Sequence, residues 1–260
     1  MEDIKARKLI GRDNLLKREI LPRLKNDKPF ILVGQKGIGK TELLKWAYCN
    51  YNKNKVYISC NETRATIVKR IAKKLGITVN KKKVAELEQE VLKSHTKIAV
   101  FIDDLEEASP KHAIFLTHLG NWNVVYLAGV GHFKERVKKL LWGKQKIRVK
   151  PIDRKSRFKL GRYVAKSLGC MVAPETIANQ SKGVPGRAWA IGKGEVIRDD
   201  DERVEGEEIN IAPVMLVFVV GIMMTRYIAM GLGERDLYVL AGIGMACSYL
   251  LRYVIRIVSK

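Results

Sequence analysis

The residues from Ile31 to Trp46 read ILVGQKGIGKTELLKW and fit the pattern G-x-x-x-x-G-K-T at Gly34, Gly39, Lys40 and Thr41. The residue types match what holding a nucleotide's phosphates requires. Gly34, Gly37 and Gly39 let backbone N–H groups converge on phosphate oxygens without Cβ clashes. Gln35, Lys36 and Ile38 supply further loop amides, and Glu42 follows in the first helical turn. A helix starting near Thr41 aims its positive dipole end at the anion. Lys40 reaches the β- and γ-phosphates of ATP, and the Thr41 hydroxyl suits Mg²⁺.

A second set of groups lies in IAVFIDDLEE, residues 98–107, an apolar strand ending in Asp103 and Asp104. If that strand ends beside the phosphate loop, Asp103 holds the water shell of the magnesium ion. Asp104 then orients or deprotonates the attacking water. Glu106 and Glu107 are expected to face solvent.

These groups need a scaffold that brings a loop and a strand end together. PFILV (29–33), KVYISC (55–60), KIAVFID (97–103), VVYLA (124–128) and KIRVKPI (146–152) read as short strands buried on both faces. Helical patterns alternate with them: TELLKWAYCN, TRATIVKRIAKKLG, VAELEQEVLKSH, HAIFLTHLG and FKERVKKLLW. The alternation predicts an α/β fold, a parallel sheet with helices on both faces. From residue 153 the strands stop. DRKSRFKLGRYVAKSLG opens with Asp153 as N-cap and closes at Gly169, and two further helical stretches each open with proline. They predict a small helical lid over 153–198, following a core over 1–152.

The chain has 260 residues and a net charge of +22, from 49 Lys and Arg against 27 Asp and Glu. Such an excess favours polyanionic partners, either nucleic acid without sequence preference or an anionic membrane face. Cys49, Cys60, Cys170 and Cys247 are scattered, with no zinc-ligand spacing, and are expected to be buried free thiols. MEDIKARK at the start is charged and lacks an apolar centre, so no cleaved signal peptide is expected.

A charged linker, 199–210, leads to two apolar segments, 211–232 and 237–258, separated by GERD. Each is about 22 residues, or roughly 33 Å as a helix, enough for a bilayer core. Their apolar character runs all the way round. The pair predicts a transmembrane helical hairpin. Arg252, Arg256 and Lys260 after the second segment place both ends in the cytoplasm.

Over roughly residues 9–198 the chain resembles the AAA+ P-loop ATPases. In particular it resembles the branch holding the archaeal Orc1/Cdc6-like initiators and STAND-type archaeal ATPases. LIGRDNLLKREILPRL (9–24) looks like the segment before the first strand in that branch, where the Gly-Arg-acidic triplet lies near the adenine; here it begins with Gly11 and Arg12. KGVPGRAW looks like the sensor 2 element of the lid, which implies that Arg187 reaches the γ-phosphate. The resemblance also implies a homo-oligomer that completes its site with a neighbour's arginine. Two departures stand out. Ala128 and Gly129 occupy the place of the polar sensor 1 residue, and the apolar pair stands where initiators carry a winged-helix domain. Together these readings lead to the expectation of a membrane-anchored, multi-pass ATPase that acts on DNA or on a membrane-associated complex. The alternative is a regulatory nucleotide switch or a non-hydrolysing scaffold without DNA.

Overall fold

A computed structural model describes residues 4–195, apart from Lys81, His95, His132 and Lys134, together with Gly221, Met224 and Ile228. The chain divides into two compact units, Met1–Val204 and Glu205–Lys260. In the second unit the three described residues are helical and exposed. The linker 199–210 and the hairpin 211–258 otherwise lie outside the described residues. Among the described residues no helix is long and apolar enough to cross a membrane.

The first unit opens with a helical run. It consists of α1 (Asp13–Leu15), a π-helical stretch (Leu16–Ile20) and α2 (Leu21–Lys25). Strands and helices then alternate. They are β1 (Phe30–Val33), α3 (Lys40–Cys49), β2 (Lys55–Ser59), α4 (Arg64–Lys74), α5 (Val84–Lys93), β3 (Ala99–Asp103), α6 (Pro110–Gly120), β4 (Val124–Gly129), α7 (Glu135–Leu141) and β5 (Gln145–Arg148). The lid follows as α8 (Arg154–Leu168), α9 (Pro174–Gln180) and α10 (Pro185–Gly192). All five expected strands are present. β5 is shorter than expected because residues 149–152 leave the sheet toward the lid.

The helix ends have local causes. The Thr63 and Ser109 side chains accept from the backbone N–H of Thr66 and His112 at the starts of α4 and α6. Pro110, Pro174 and Pro185 open α6, α9 and α10, where a missing N–H costs nothing. Gly169 ends α8 in the left-handed conformation, as expected.

The strands form one parallel sheet in the order β2-β3-β4-β1-β5. Each face of the sheet carries its own core, as side chains alternate along a strand. Ile31, Ile58, Val100, Ile102 and Leu127 pack against α4, α5, α6 and α7. Phe30, Leu32, Phe101 and Tyr126 pack against α3 and the N-terminal helical run. The lid has a smaller core around Leu160, Val164, Ile177 and Ala188. Among the described residues, the sheet, the lid and their three cores all lie within Met1–Val204, so this unit has the packed core that an independently folding domain requires.

The lid depends on one close approach. A Cβ at Gly161 of α8 would stand 2.3 Å from the Pro174 carbonyl oxygen and 3.3 Å from the Ala178 nitrogen of α9. Gly161→Ala is expected to destabilise the protein by about 1–3 kcal/mol through overpacking. Better helix propensity offsets up to about 1 kcal/mol of that. Calorimetry checks it: a lower Tm is expected, and an unchanged or higher Tm would show that α9 yields freely.

The thiols differ from expectation. Cys60 is buried and Cys170 half-buried, but Cys49 is exposed, with its Sγ 3.1 Å from the Ile4 carbonyl oxygen. Cys49 ends α3 on its solvent side, a position that the helix period alone did not resolve.

Candidate functional site

The C-terminal edge of β1 delivers the glycine loop. Gly37 and Gly39 adopt φ of 78° and 98°, a left-handed backbone that only glycine takes without strain. Gly39 is also the N-cap of α3, so the first amides of that helix open toward the loop. Lys40, the first residue of α3, is buried. Its Nζ lies 2.8 Å from the Gly34 carbonyl oxygen and 3.0 Å from that of Gln35. The ammonium is thus held within the loop it would serve.

The carboxylate strand does not neighbour β1. β4 lies between them, and Asp103 ends β3 one strand away. Thr41 closes the gap, since its side chain hydrogen-bonds Asp103. The buried Asp103 carboxylate also accepts from the Tyr57 hydroxyl at 2.7 Å and from the Asp104 backbone N–H at 3.0 Å. Burial pushes its pKa above the usual carboxylate range, and Asp104 adds to this; the Tyr57, Thr41 and backbone hydrogen bonds pull the other way. The same burial, with Asp103 close by, raises the Tyr57 phenol. A hydroxyl and a carboxylate side by side form a hard-oxygen donor pair of the kind that suits Mg²⁺.

Asp104 has a left-handed backbone, φ 52°. Its Oδ2 accepts from Ser59 Oγ at 2.8 Å and Asn61 Nδ2 at 2.9 Å. β2 and β3 pair with Ser59 opposite Asp103, which brings the end of β2 to the carboxylates. Glu106 corrects an expectation. Rather than facing solvent, its Oε2 accepts from the Val130 N–H at 3.1 Å, just past β4. The short 3-10 turn Leu105–Glu107 swings it back over the sheet edge. Glu107 is exposed, as expected. The carboxylate of Glu106 thus lies beside Ala128 and Gly129, where sequence reading noted a missing polar residue.

These groups line a cavity of about 480 Å³. Its lining includes the loop residues Lys36, Gly37, Ile38, Gly39, Lys40, Thr41 and Glu42 and the carboxylates of Asp103 and Asp104. Leu9, Ile10, Ile152, Leu160, Tyr163 and Trp189 add apolar and aromatic lining, and the Arg7 guanidinium stacks over Trp189 at 5.3 Å. Arg12 also lines the cavity. Its buried guanidinium is directed at the carbonyls of Ile38 and Lys150, and burial lowers its pKa to about 10 against the nearby Asp153 charge. It therefore braces the phosphate loop against the strand exit. Gly11 turns with φ 67° against Ile152 and Ser156, behind the cavity wall. Gly34 and Gln35 lie in the loop behind the wall-forming residues.

The lid touches the loop directly. The Gly186 N–H donates to the Gly37 carbonyl at 2.8 Å, and a Cβ at Gly186 would meet Gly37 Cα at 2.7 Å. Pro185 and Gly186 line the cavity, whereas the half-buried Arg187 does not. Sequence reading missed Tyr57, Ser59, Asn61 and the apolar wall. Their signal depends on strand order, because a residue ending β2 faces a carboxylate ending β3 only when those strands are neighbours.

Fold and site together define an α/β P-loop domain with a helical lid. Residues 23–137 match the protein-family model described as an AAA domain. No curated protein matches the sequence. Among solved structures, the RuvB Holliday junction branch migration motor of Thermotoga maritima is similar, at 16% identity and a TM-score of 0.48, over 71% of this chain and 61% of that one. Domain III of the Thermotoga maritima replication initiation protein DnaA is similar at 17% identity and a TM-score of 0.48, over 74% of this chain and 89% of that one. The chain thus spans about three fifths of the RuvB structure it matches.

Proposed function

We propose that the chain binds ATP with Mg²⁺ in this cavity, hydrolyses it, and acts as an oligomer at a membrane, on DNA or on a membrane-associated complex. The observation that carries the reading is the meeting of Lys40, Thr41 and Asp103 in the lining of one cavity that also has apolar lining from Leu9, Ile10, Ile152, Leu160 and Trp189. The purine would take the apolar lining that includes Ile10 and Trp189, with the triphosphate directed toward the amides at the start of α3. Bound there, Mg²⁺ would neutralise charge on the β- and γ-phosphates. Thr41 and Asp103 would hold it. Asp104 would orient or deprotonate the water, a role supported by the hydrogen bonds from Ser59 and Asn61 that hold its carboxylate. Arg187 directly follows Gly186, the lid residue bonded to the loop, and would be the lid arginine that reaches the γ-phosphate.

The +22 charge supports a polyanionic partner. The membrane part rests on the apolar segments 211–232 and 237–258, with the first unit and the C-terminus on the cytoplasmic side. ATP turnover of the full chain in nanodiscs, with and without duplex DNA, tests the reading. Stimulation that fades steeply with salt is expected for phosphate contacts. Turnover indifferent to DNA favours a partner complex, and ATP binding without turnover favours a scaffold. For topology, single cysteines at position 233 and after Lys260 would be placed in a Cys247→Ala background and treated, on intact cells, with a membrane-impermeant thiol reagent that does not reach cytoplasmic thiols such as the exposed Cys49. Labelling at 233 alone is expected.

Asn61→Ala should lower kcat roughly tenfold or more while leaving ATP affinity unchanged, since a hydrogen bond to a charged group contributes about 1.5–3 kcal/mol. Steady-state kinetics beside calorimetric ATP titration checks this. An unchanged kcat would mean that Asp104 needs no support from β2.

A further inference from the structure

In a parallel sheet the segments that lead into the strands all meet at one edge, opposite the edge that carries the phosphate loop. Trp122 stands in the turn between α6 and β4, and Trp142 in the turn between α7 and β5. Both indoles are open to solvent, at 71% and 88% exposure, although tryptophan is ordinarily well covered. The turns that carry them are neighbours. A Cβ on Gly120, two residues before Trp122, would lie 3.2 Å from Cδ1 of Leu140, two residues before Trp142. β4 and β5 flank β1 on either side, so their starts are about 10 Å apart at the usual strand spacing.

The same edge is basic. Lys28, Lys97 and Lys146 are exposed, and the half-exposed Lys144 donates to the Leu140 carbonyl, which ties its ammonium to the turn that carries Trp142. The carboxylate of these leading segments is Asp27, and it is already engaged by Lys53 and by the Tyr51 hydroxyl at 2.8 Å. Two adjacent exposed indoles among uncompensated lysines need a partner that offers both an amphipathic layer and negative charge.

We infer that this edge docks on an anionic bilayer surface. Trp122 and Trp142 sit at headgroup depth, where an apolar ring with one N–H is most at home. The lysines face the lipid charges, whose attraction reaches about a Debye length. The orientation leaves the nucleotide cavity, on the opposite edge, open to the cytoplasm. A second copy presenting the same edge would bring lysine against lysine, which disfavours a two-fold contact. Single-stranded nucleic acid is held by rings set within a basic groove, whereas these rings stand at the tips of separate turns. The inference is carried by the first unit alone and is independent of the apolar segments in the second.

The test uses the fragment Met1–Val204, shown above to contain every core of the sheet and lid, and its W122A/W142A variant. Both indoles are solvent-exposed, so the variant should retain the parent's circular dichroism and Tm. The fragment is expected to sediment with vesicles of phosphatidylcholine and phosphatidylserine but not with phosphatidylcholine alone, and its tryptophan emission should shift to the blue. The variant should bind roughly tenfold more weakly or worse, as loss of interfacial aromatic area requires. Absence of sedimentation with anionic vesicles would overturn the inference, as would equal binding by the variant. A variant that keeps vesicle binding but loses binding to oligo(dT) would assign the edge to single-stranded nucleic acid instead. One that instead loses a concentration-dependent dimer in analytical ultracentrifugation would assign it to a second copy.

Discussion

Lys40→Ala should reduce ATP affinity by roughly a hundredfold or more. The Lys40 ammonium sits within reach of the loop carbonyls of Gly34 and Gln35, at the mouth of the amides that start α3. A phosphate entering there would exchange those neutral acceptors for charged oxygens. Charge-assisted hydrogen bonds contribute about 1.5–3 kcal/mol each, and every 1.4 kcal/mol or so is tenfold in Kd. The lysine side chain is buried, so its removal also leaves space in the loop. A thermal-melt control separates loss of binding from loss of fold. Equal ATP affinity in variant and parent by calorimetry would refute the phosphate-site assignment.

The second large effect is a division of labour between adjacent carboxylates. Asp104→Asn is expected to bind ATP with Mg²⁺ normally and to turn over about 10²–10⁴-fold more slowly, the usual contribution of a positioned base. Asp103→Asn should instead raise the Mg²⁺ concentration needed for binding. It has a second signature, in stability. Burial raises the Asp103 carboxyl above its ordinary range, so in the ligand-free protein ionisation of this group costs stability. The sign follows from linkage. The favourable contribution is fully present below the unfolded pKa of about 3.9 and is lost as pH rises through the raised folded value. Asp103→Asn lacks that titration. At neutral pH its ligand-free Tm should equal or exceed the parent's, and the gap should close as pH falls through the raised value. A variant that is less stable at neutral pH and more stable in acid would have the wrong sign. Indistinguishable kinetics for the two variants would defeat the division itself.

Much of this protein was legible in the order of its residues, because the legible parts are set by local physics. Short β-branched runs bounded by charged helical stretches favour buried parallel strands, and all five appear within the runs that the pattern marked, the last ending four residues early at Arg148. Pro174, Pro185 and Gly169 mark helix ends through backbone restrictions that act within one or two residues. Gly37 and Gly39 take the left-handed turns that the loop motif demands, and Lys40 opens the helix behind them. The sequence by itself therefore determined the fold class and the glycine loop that opens α3, and it placed Asp103 and Asp104 together at the end of β3.

Only the tertiary structure decided how these parts meet. Strand order is a non-local choice, and inserting β4 between β1 and β3 places Asp103 one strand away from the loop, bridged through Thr41. The pairing of β2 with β3 brings Tyr57, Ser59 and Asn61 to the carboxylates, residues with no distinguishing local pattern. Glu106 has the sequence context of a solvent-facing charge, yet the 3-10 turn before α6 directs it to the end of β4. Arg12 stands in a motif suggestive of base recognition, but the fold directs its guanidinium at two backbone carbonyls, because a buried cation must be paired wherever it falls. Local propensity fixes what each segment becomes. Which segments then share a carboxylate or a cavity is fixed by packing between residues far apart in the chain, and that information is not carried by any short stretch of it.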